Sequence, residues 1–189
     1  MIQKAFKYTQ TIFNQYVKNV FGLDESIVVT NNIVNETGVI PLENQNKIVL
    51  SLIHIDQEIT RPFYTKDHKV SDNNYESIPD IENYTIDMLV TPCFENYDET
   101  LKFLNTSIQF FQANPILDAT MHSDFPEGLQ KLSFDLQRGG DYMQMHNLWN
   151  ALGAKYRPSV IYKMRLVTIS SNEIDTFMPE ISSTLNPIK

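Results

Sequence analysis

The residues from Lys47 to Ile55, KIVLSLIHI, constrain the fold more than any other part of the chain. They form a nearly continuous apolar run, whereas a strand with one face in water alternates apolar and polar residues. A strand with a continuous apolar pattern is covered on both faces by other layers of the protein. We therefore predict that this strand lies in the interior of a sheet.

Two segments have the periodicity of amphipathic helices. Apolar residues recur every three or four positions from Ile2 to Phe21, and Gly22 can adopt the left-handed conformation that ends many helices. A second stripe contains the only tryptophan, Trp149, and is closed by Gly153. Both stripes predict helices that pack on a hydrophobic core rather than on a membrane surface or around a cofactor.

A third helix is predicted between Asn96 and Pro115. Asn96, with Glu99 three residues later, resembles a capping box, in which side chains accept hydrogen bonds from the free N–H groups of the first turn. The helix has to stop before Pro115, because the residue that precedes a proline disfavours the helical conformation.

Four more segments are predicted as strands, because apolar and polar residues alternate or because β-branched residues are frequent. These segments are residues 26–34, 84–90, 132–136 and 160–169. Strands outnumber helices in the resulting order, and their hairpin-like spacing favours antiparallel pairing. The sequence thus predicts an α+β fold: a single domain with a mixed, mostly antiparallel sheet of about five strands and helices packed on it.

Residues 56–83 form a polar segment that is interrupted by proline. A loop of this length inside a compact domain is usually either functional or disordered. The segment also carries Phe63, Tyr64 and Tyr75, aromatic residues that a purely solvated loop does not need. We interpret the segment as an arm that becomes ordered against a neighbouring molecule.

The composition argues against nucleic-acid binding and against membrane insertion. The net charge is −8 at pH 7, and no cluster of Lys and Arg is present to replace the counterions of a nucleic acid. No stretch approaches the roughly 18 to 20 apolar residues of a membrane helix, and the amino terminus lacks the apolar core of a signal peptide. Cys93 is the only cysteine, which fits folding in a reducing compartment. We expect the chain to be made and folded in the cytoplasm.

No group of residues has the spacing of a catalytic or metal site. His54 has no second ligand at a metal-binding spacing, so we interpret it as structural. Residues 121–124, Met-His-Ser-Asp, hold the residue types of a catalytic triad, but triad members usually come from separate parts of the chain. We therefore interpret residues 116–127 as an irregular connection. Cys93 is expected to be a buried, unreactive thiol. Motifs alone therefore indicate an α+β interaction protein.

The segment LWNALGAKYRPSVIY at residues 148–162, together with the preceding strand LSFDL, carries a family resemblance. It resembles the amino-terminal domain of the tube-terminator, or cap, proteins of phage-tail-like contractile injection systems, of the antifeeding-prophage and Photorhabdus-virulence-cassette type. KIVLSLIHIDQE followed by Arg61 resembles that family's central strand and arginine turn, and residues 86–117 resemble its next strand and helix. The resemblance covers roughly Ile2 to Ile174.

The resemblance implies a structural role with no cofactor and no enzymatic step. It implies a phage tail-terminator-like domain over residues 1–178 and a flexible tail over residues 179–189. The protein is expected to form a ring of its own copies, a hexamer, which ends the inner tube at its distal end and joins the last sheath ring to it. Its partners are thus further copies of the chain and the tube and sheath subunits. The particle, assembled from proteins made in the bacterial cytoplasm, is expected to be released or anchored at a membrane.

Two alternatives to the terminator role stay open: another connector or adaptor of the same particle, and a small ligand-binding domain. A closed ring needs one surface patch that meets a different patch on the neighbouring copy. The predicted interface residues are Arg61, Phe63, Tyr64, Tyr75 and Arg157. For Arg157, at the start of the last strand, the sequence favours a buried ion pair over a contact with the neighbouring subunit.

Overall fold

The computed structural model describes the backbone of residues 1–58, 67–71, 74–77, 83–137, 142–168 and 177–179, and the side chains of residues 1–56, 84–137 and 145–166. The α-helices in this part of the chain are α1 (Ile2–Phe21), α2 (Tyr97–Ala113) and α3 (Tyr142–Ala151), and a single 3-10 turn covers Leu42–Asn44. The strands are β1 (Val28–Thr30), β2 (Lys47–Glu58), β3 (Asp67–Ser71), β4 (Asn74–Ser77), β5 (Asn83–Cys93), β6 (Ile116–Asp118), β7 (Leu129–Leu136), β8 (Val160–Thr168) and β9 (Phe177–Pro179).

A six-stranded sheet forms the centre of the fold, in the order β1-β2-β5-β8-β7-β6. β1 runs parallel to β2, and the other neighbouring pairs are antiparallel. The predicted α+β class and the mixed, mostly antiparallel sheet are therefore confirmed. The additional strand is β6, which lies in a region predicted as an irregular connection; its three residues are too few to show an alternating pattern.

The predicted arm contributes to a second sheet of three strands. Its order is β3-β4-β9, and both pairs of strands are antiparallel. The arm therefore contains paired strands, which its polar and proline-containing sequence did not predict. β9 spans the predicted boundary between domain and tail, and residues 180–189 lie outside the described residues.

Helices α1 and α2 pack on one face of the six-stranded sheet and enclose the larger hydrophobic core. Alternate strand positions point into this core, among them the fully buried Leu50, Met88 and Met164. The Phe13 ring of α1 stacks on Phe110 of α2 with the ring centroids 4.5 Å apart. No helix in the described ranges is long and apolar enough to cross a membrane.

The opposite face of the sheet carries a smaller core beneath α3. Trp149 of α3 is 2% exposed and clusters with Val49, Leu89 and Ile161 from three adjacent strands. Because both of its faces are covered here, β2 is apolar at consecutive positions. β2 is also hydrogen-bonded to a strand on each side, so its predicted interior position is confirmed.

The helix ends contain the predicted capping residues. The Asn96 side chain accepts hydrogen bonds from the N–H groups of Asp98 and Glu99, at 2.8 Å and 3.3 Å. Gly22 ends α1 in the left-handed conformation, with φ of 64°. Helix α2 stops before Pro115, as expected from the restriction that proline places on the preceding residue.

Strand β5 continues past Val90, the last residue of its predicted range. It runs to Cys93, with Pro92 paired to Ile48 of β2. The ladder with β8 stops at Val90, so beyond that point one edge of β5 has no strand partner among the described residues. A missing N–H costs no ladder bond on an unpaired edge, which is why the proline does not end the strand.

Two glycines with left-handed backbone meet at the carboxyl end of α3. Gly38 has φ of 73° and Gly153 has φ of 65°. A Cβ atom on Gly38 would lie 2.8 Å from the carbonyl oxygen of Gly153, closer than such atoms approach in proteins. The turn before β2 therefore packs directly on the end of the helix that covers β2.

Candidate assembly surface

The structure locates the side chain of one predicted interface residue. Arg157 lies between the end of α3 and the start of β8 and is half-buried. Arg61, Phe63 and Tyr64 fall outside the described residues. Tyr75 lies in β4, and its side chain is also outside the described part of the structure. The candidate surface is therefore built around Arg157.

The Arg157 guanidinium is bound to a backbone carbonyl. Its Nη1 donates a hydrogen bond to the carbonyl oxygen of Phe94 at 3.5 Å. Among the described residues, no ion pair joins Arg157 to an Asp or Glu, so the ion pair that the sequence favours is absent there. A guanidinium has five N–H donors, and Arg157 therefore keeps donors for a further partner.

Cys93 lies close enough to Arg157 for the two groups to interact electrostatically. Burial raises the pKa of the Cys93 thiol to about 11, although the positive charge of Arg157 acts in the opposite direction. The thiol also donates to the carbonyl oxygen of Thr91 at 3.7 Å. It is therefore protonated at neutral pH. The predicted burial of the thiol is confirmed, and its low reactivity stays a prediction.

Two exposed tyrosines lie close in the sequence to Arg157 or to its hydrogen-bond partner Phe94. Tyr156 is 65% exposed and packs edge-on against Trp149, with the ring centroids 6.1 Å apart. Tyr97 is 63% exposed and begins α2, three residues after Phe94, whose carbonyl oxygen accepts the Arg157 hydrogen bond. Tyrosine and arginine are enriched in protein interfaces and among the residues that dominate binding energy. We call Tyr97, Tyr156 and Arg157 the Tyr–Arg surface.

The turn before β2 adds exposed aliphatic residues near the same end of α3. Gly38 contacts Gly153, which precedes Tyr156 by three residues. Val39 and Leu42 follow Gly38 and are exposed. Exposed apolar side chains at this end of the fold thus come from segments that are far apart in the sequence.

The described residues offer no arrangement for metal binding. No group of three or more metal-ligating side chains occurs among them. His54 is an exposed residue of β2, and its Nε2 lies 3.1 Å from Asp56 Oδ1. This is a single surface pair on one strand, and His54 is not part of the core.

Residues 121–124, Met-His-Ser-Asp, form an irregular connection, as predicted. His122 packs edge-on against Tyr8 of α1, and the Tyr8 hydroxyl donates to Asp124 Oδ1 at 3.5 Å. Burial, ahead of the charge of Asp124, raises the pKa of Tyr8 to about 12. These contacts attach the connection to α1, and within the described residues no hydrogen bond joins Ser123 to His122.

The amino-acid sequence matches the family described as the Pvc16 N-terminal domain over residues 9–183. The chain belongs to this family. The match covers nearly the whole chain, including every helix and strand of the six-stranded sheet except the first turns of α1. No curated protein gives a significant match.

Two solved structures have a similar fold. The anti-feeding prophage cap, named AFP tube terminating cap, is matched over 95% of this chain and 60% of its own, with a TM-score of 0.61 and 13% identity. The PVC sheath/tube terminator of an extracellular contractile injection system, in the extended state, is matched over 100% of this chain and 64% of its own, with a TM-score of 0.61 and 14% identity. This chain thus spans less than two thirds of the length of either structure.

The sequence predicts Arg157 as an interface residue but does not single out Tyr97 or Tyr156 for this role. Tyr97 lies outside the apolar stripe of α2, and Tyr156 lies in the connection between α3 and β8. A large side chain outside the apolar stripe of its helix can indicate an interface residue, because packing in the core does not explain its presence. Single large side chains of this kind are common on protein surfaces. They indicate an interface only when the fold groups several of them in one patch.

Proposed function

We propose that this chain terminates the inner tube of a contractile injection particle and joins the last sheath ring to the tube. The observation that carries the proposal is the family match, together with the fold that the chain shares with a tube-terminating cap and a sheath/tube terminator. Since both of these neighbours are named for a structural task, the role that we propose is structural and involves no catalytic step. The protein is made in the bacterial cytoplasm and leaves it as part of the particle.

The terminator acts as a closed ring of identical subunits, a hexamer in this proposal. Such a ring uses two different patches on each subunit, one for each neighbour. The Tyr–Arg surface supports one of these patches, because it combines exposed aromatic rings with a half-buried arginine that keeps free donors. The other patch is the arm, through Arg61, Phe63, Tyr64 and Tyr75.

The terminator role is tested by imaging particles from cells that lack the protein. Tubes are expected to be longer and more variable in length than in the parent strain, with sheaths that no longer end at a fixed position. Restoring the protein is expected to restore one length. Normal tube lengths in its absence would contradict the proposal, and a label on the protein that decorates the baseplate end would instead support the adaptor role.

The ring is tested by light scattering coupled to size-exclusion chromatography of the purified protein. The double variant Tyr156→Ala with Arg157→Ala is expected to shift the protein from rings to monomers. Met121→Ala is the control, because Met121 is exposed in the connection between β6 and β7 and outside the Tyr–Arg surface. Deleting residues 63–76 is expected to leave a folded monomer that forms fewer rings. A deletion variant that forms rings as well as the parent would remove the arm from the interface.

A further inference from the structure

The outer edge of β2 is covered by another strand along only part of its length. β1 pairs with β2 from Ile48 to Leu50, whereas β2 continues to Glu58. From Leu52 onwards, this edge of β2 has no strand partner among the described residues. A sheet edge with unpaired N–H and C=O groups is a template for a further strand.

A side chain ends the pairing between β1 and β2. The Asn31 N–H donates to the carbonyl oxygen of Leu50 at 3.3 Å and so extends the ladder by one bond. The next acceptor in line is the carbonyl oxygen of Asn31, but the Ser51 hydroxyl donates to that oxygen at 2.6 Å. Outside the strand ladders, no backbone acceptor for the Leu52 N–H is found among the described residues.

Among the residues of β2 whose side chains are described, the backbone groups that face the open edge belong to Leu52 and Ile55. Backbone groups alternate in direction along a strand, and Ile48 and Leu50 bond towards β1, so Leu52 points the same way. A bulge at Ile53 then shifts the alternation by one residue. Ile55 therefore has the same orientation as Leu52, as its pairing with Ile86 on β5 also requires.

The Leu52 side chain borders a groove, and Ile55 lies further along the same strand. Leu52 is 48% exposed and Ile55 is also exposed, although both lie on the face of the sheet that packs against α1 and α2. The groove beside Leu52 has a volume of about 610 Å³, and its lining includes the apolar Ile2 and Phe6 of α1 as well as polar residues such as Lys7. Leu52 thus presents open backbone groups and an apolar side chain to the same space.

We propose that this edge of β2 binds an extended strand of a different protein chain, which pairs with Leu52 and Ile55 and inserts apolar side chains into the groove. Strand addition of this kind gains affinity from main-chain hydrogen bonds and specificity from alternate side chains. Asp56 is exposed just beyond Ile55, so the strand carries a Lys or Arg at that end.

A second copy of the chain is a poorer occupant than a different protein. The edge strand on the other side of the six-stranded sheet is β6, which has three residues and follows Pro115, a residue without an N–H donor. β6 also ends in Asp118, whose carboxylate would bring negative charge to an edge that already carries Asp56.

The test measures amide hydrogen exchange of the purified protein with a synthetic peptide in which valine alternates with threonine and a lysine stands at each end. Saturating peptide is expected to slow exchange at Leu52 and Ile55 by about tenfold or more, because their N–H groups become hydrogen-bonded. The amides of His54 and Asp56, which face β5, are expected to be unchanged. The same peptide with its edge-facing nitrogens methylated is expected to give no protection.

Variants locate the binding site on the protein. Leu52→Lys with Ile55→Lys is expected to weaken peptide binding about tenfold, because it removes two apolar contacts and adds charge of the same sign as the peptide. The fold is expected to persist, since both side chains are already partly exposed. Leu101→Lys on α2 is the matched control, because Leu101 is 42% exposed against 48% for Leu52, and it is expected to bind like the parent.

Three results would overturn the proposal. The first is protection of Leu52 and Ile55 in the free protein that grows with protein concentration, which would show a second copy on the edge. The second is protection in the free protein at every concentration, which would show that the chain covers its own edge. The third is equal binding by the methylated peptide. This test uses only purified protein and peptide, so its outcome is independent of the tube-length experiment. Strand binding can fail while the terminator role holds, and the terminator role can fail while strand binding holds.

Discussion

Replacing Trp149 with alanine tests whether the smaller core holds α3 on the sheet. Trp149 is 2% exposed and lies in the cluster formed by Val49, Leu89 and Ile161. The cluster connects one helix to three strands, so the side chain is expected to stabilise the layer as a whole. The substitution removes the largest side chain of this layer and leaves the larger core, on the other face of the sheet, unchanged.

The expected loss can be estimated from the buried area. A buried aromatic side chain removes about 150 to 250 Å² from water, which corresponds to about 4 to 6 kcal/mol at about 25 cal/mol per Å². The indole Nε1 of Trp149 has no hydrogen-bond acceptor among the described residues, so no hydrogen bond is lost there. Because α3 lies in an outer layer, the space can partly collapse, and we expect Trp149→Ala to lower the free energy of unfolding by about 3 to 5 kcal/mol.

Urea unfolding followed by far-UV circular dichroism measures this change without relying on the missing tryptophan fluorescence. The midpoint is expected to fall while the dependence of the free energy on urea concentration stays the same, as for a change confined to the folded state. Trp149→Phe, which keeps an aromatic ring and removes the unbonded N–H, is expected to cost clearly less. A loss below about 1 kcal/mol for Trp149→Ala would refute the assignment of this residue to the core, since surface substitutions have effects of that size.

Three further substitutions or treatments test the backbone and the buried thiol. Gly38→Ala is expected to lower the thermal midpoint more than Gly22→Ala. Both glycines have positive φ, which costs an alanine about 1 to 2 kcal/mol, but only at Gly38 would the added Cβ also meet a backbone oxygen. Equal effects would contradict the close packing of Gly38 on Gly153. Asn96→Ala is expected to cost about 1 kcal/mol in urea unfolding through loss of the α2 cap, whereas Asn105→Ala, exposed within the same helix, is expected to be neutral. The native Cys93 thiol is expected to react slowly with iodoacetamide at pH 8 and faster as the pH rises towards its pKa of about 11. In urea-unfolded protein, the same thiol is expected to react rapidly at pH 8. Equal reaction rates of native and unfolded protein at pH 8 would contradict the burial of the thiol.

The elements that could be predicted from the sequence are those whose faces differ in polarity. The consecutive apolar residues of β2 predict a strand covered on both faces, and the structure places α1 and α2 on one side and α3 on the other. The Asn96 cap and the stop before Pro115 were predictable because both depend on local backbone chemistry. β6 escaped prediction because three residues cannot show a period, and the strands of the arm because their residues are mostly polar.

The open edge of β2 and the surroundings of Arg157 could not be predicted because they depend on edges and on contacts between distant segments. Periodicity reports which faces of a strand are covered, but it carries no information on the hydrogen-bonding edges. The open edge of β2 depends on where β1 ends, and that point is set by the Ser51 hydroxyl on the Asn31 carbonyl oxygen. The charge of Arg157 suggested a carboxylate partner, whereas the fold offers it the carbonyl oxygen of Phe94.

The size of the Tyr–Arg surface bears on why the assembly that we propose is a ring rather than a pair. Tyr97 and Tyr156 are 63% and 65% exposed, so their complete burial would remove roughly 200 to 300 Å² from water and contribute at most about 5 to 8 kcal/mol. Association of two proteins costs about 4 to 15 kcal/mol in lost translational and rotational freedom, so one such contact barely holds a pair together. A closed ring has as many contacts as subunits, which is one more than an open chain of the same number of subunits has. The closing contact forms without any further loss of translational and rotational freedom, because both of its subunits are already in the assembly. A modest surface can therefore stabilise a complete ring while leaving shorter assemblies weak.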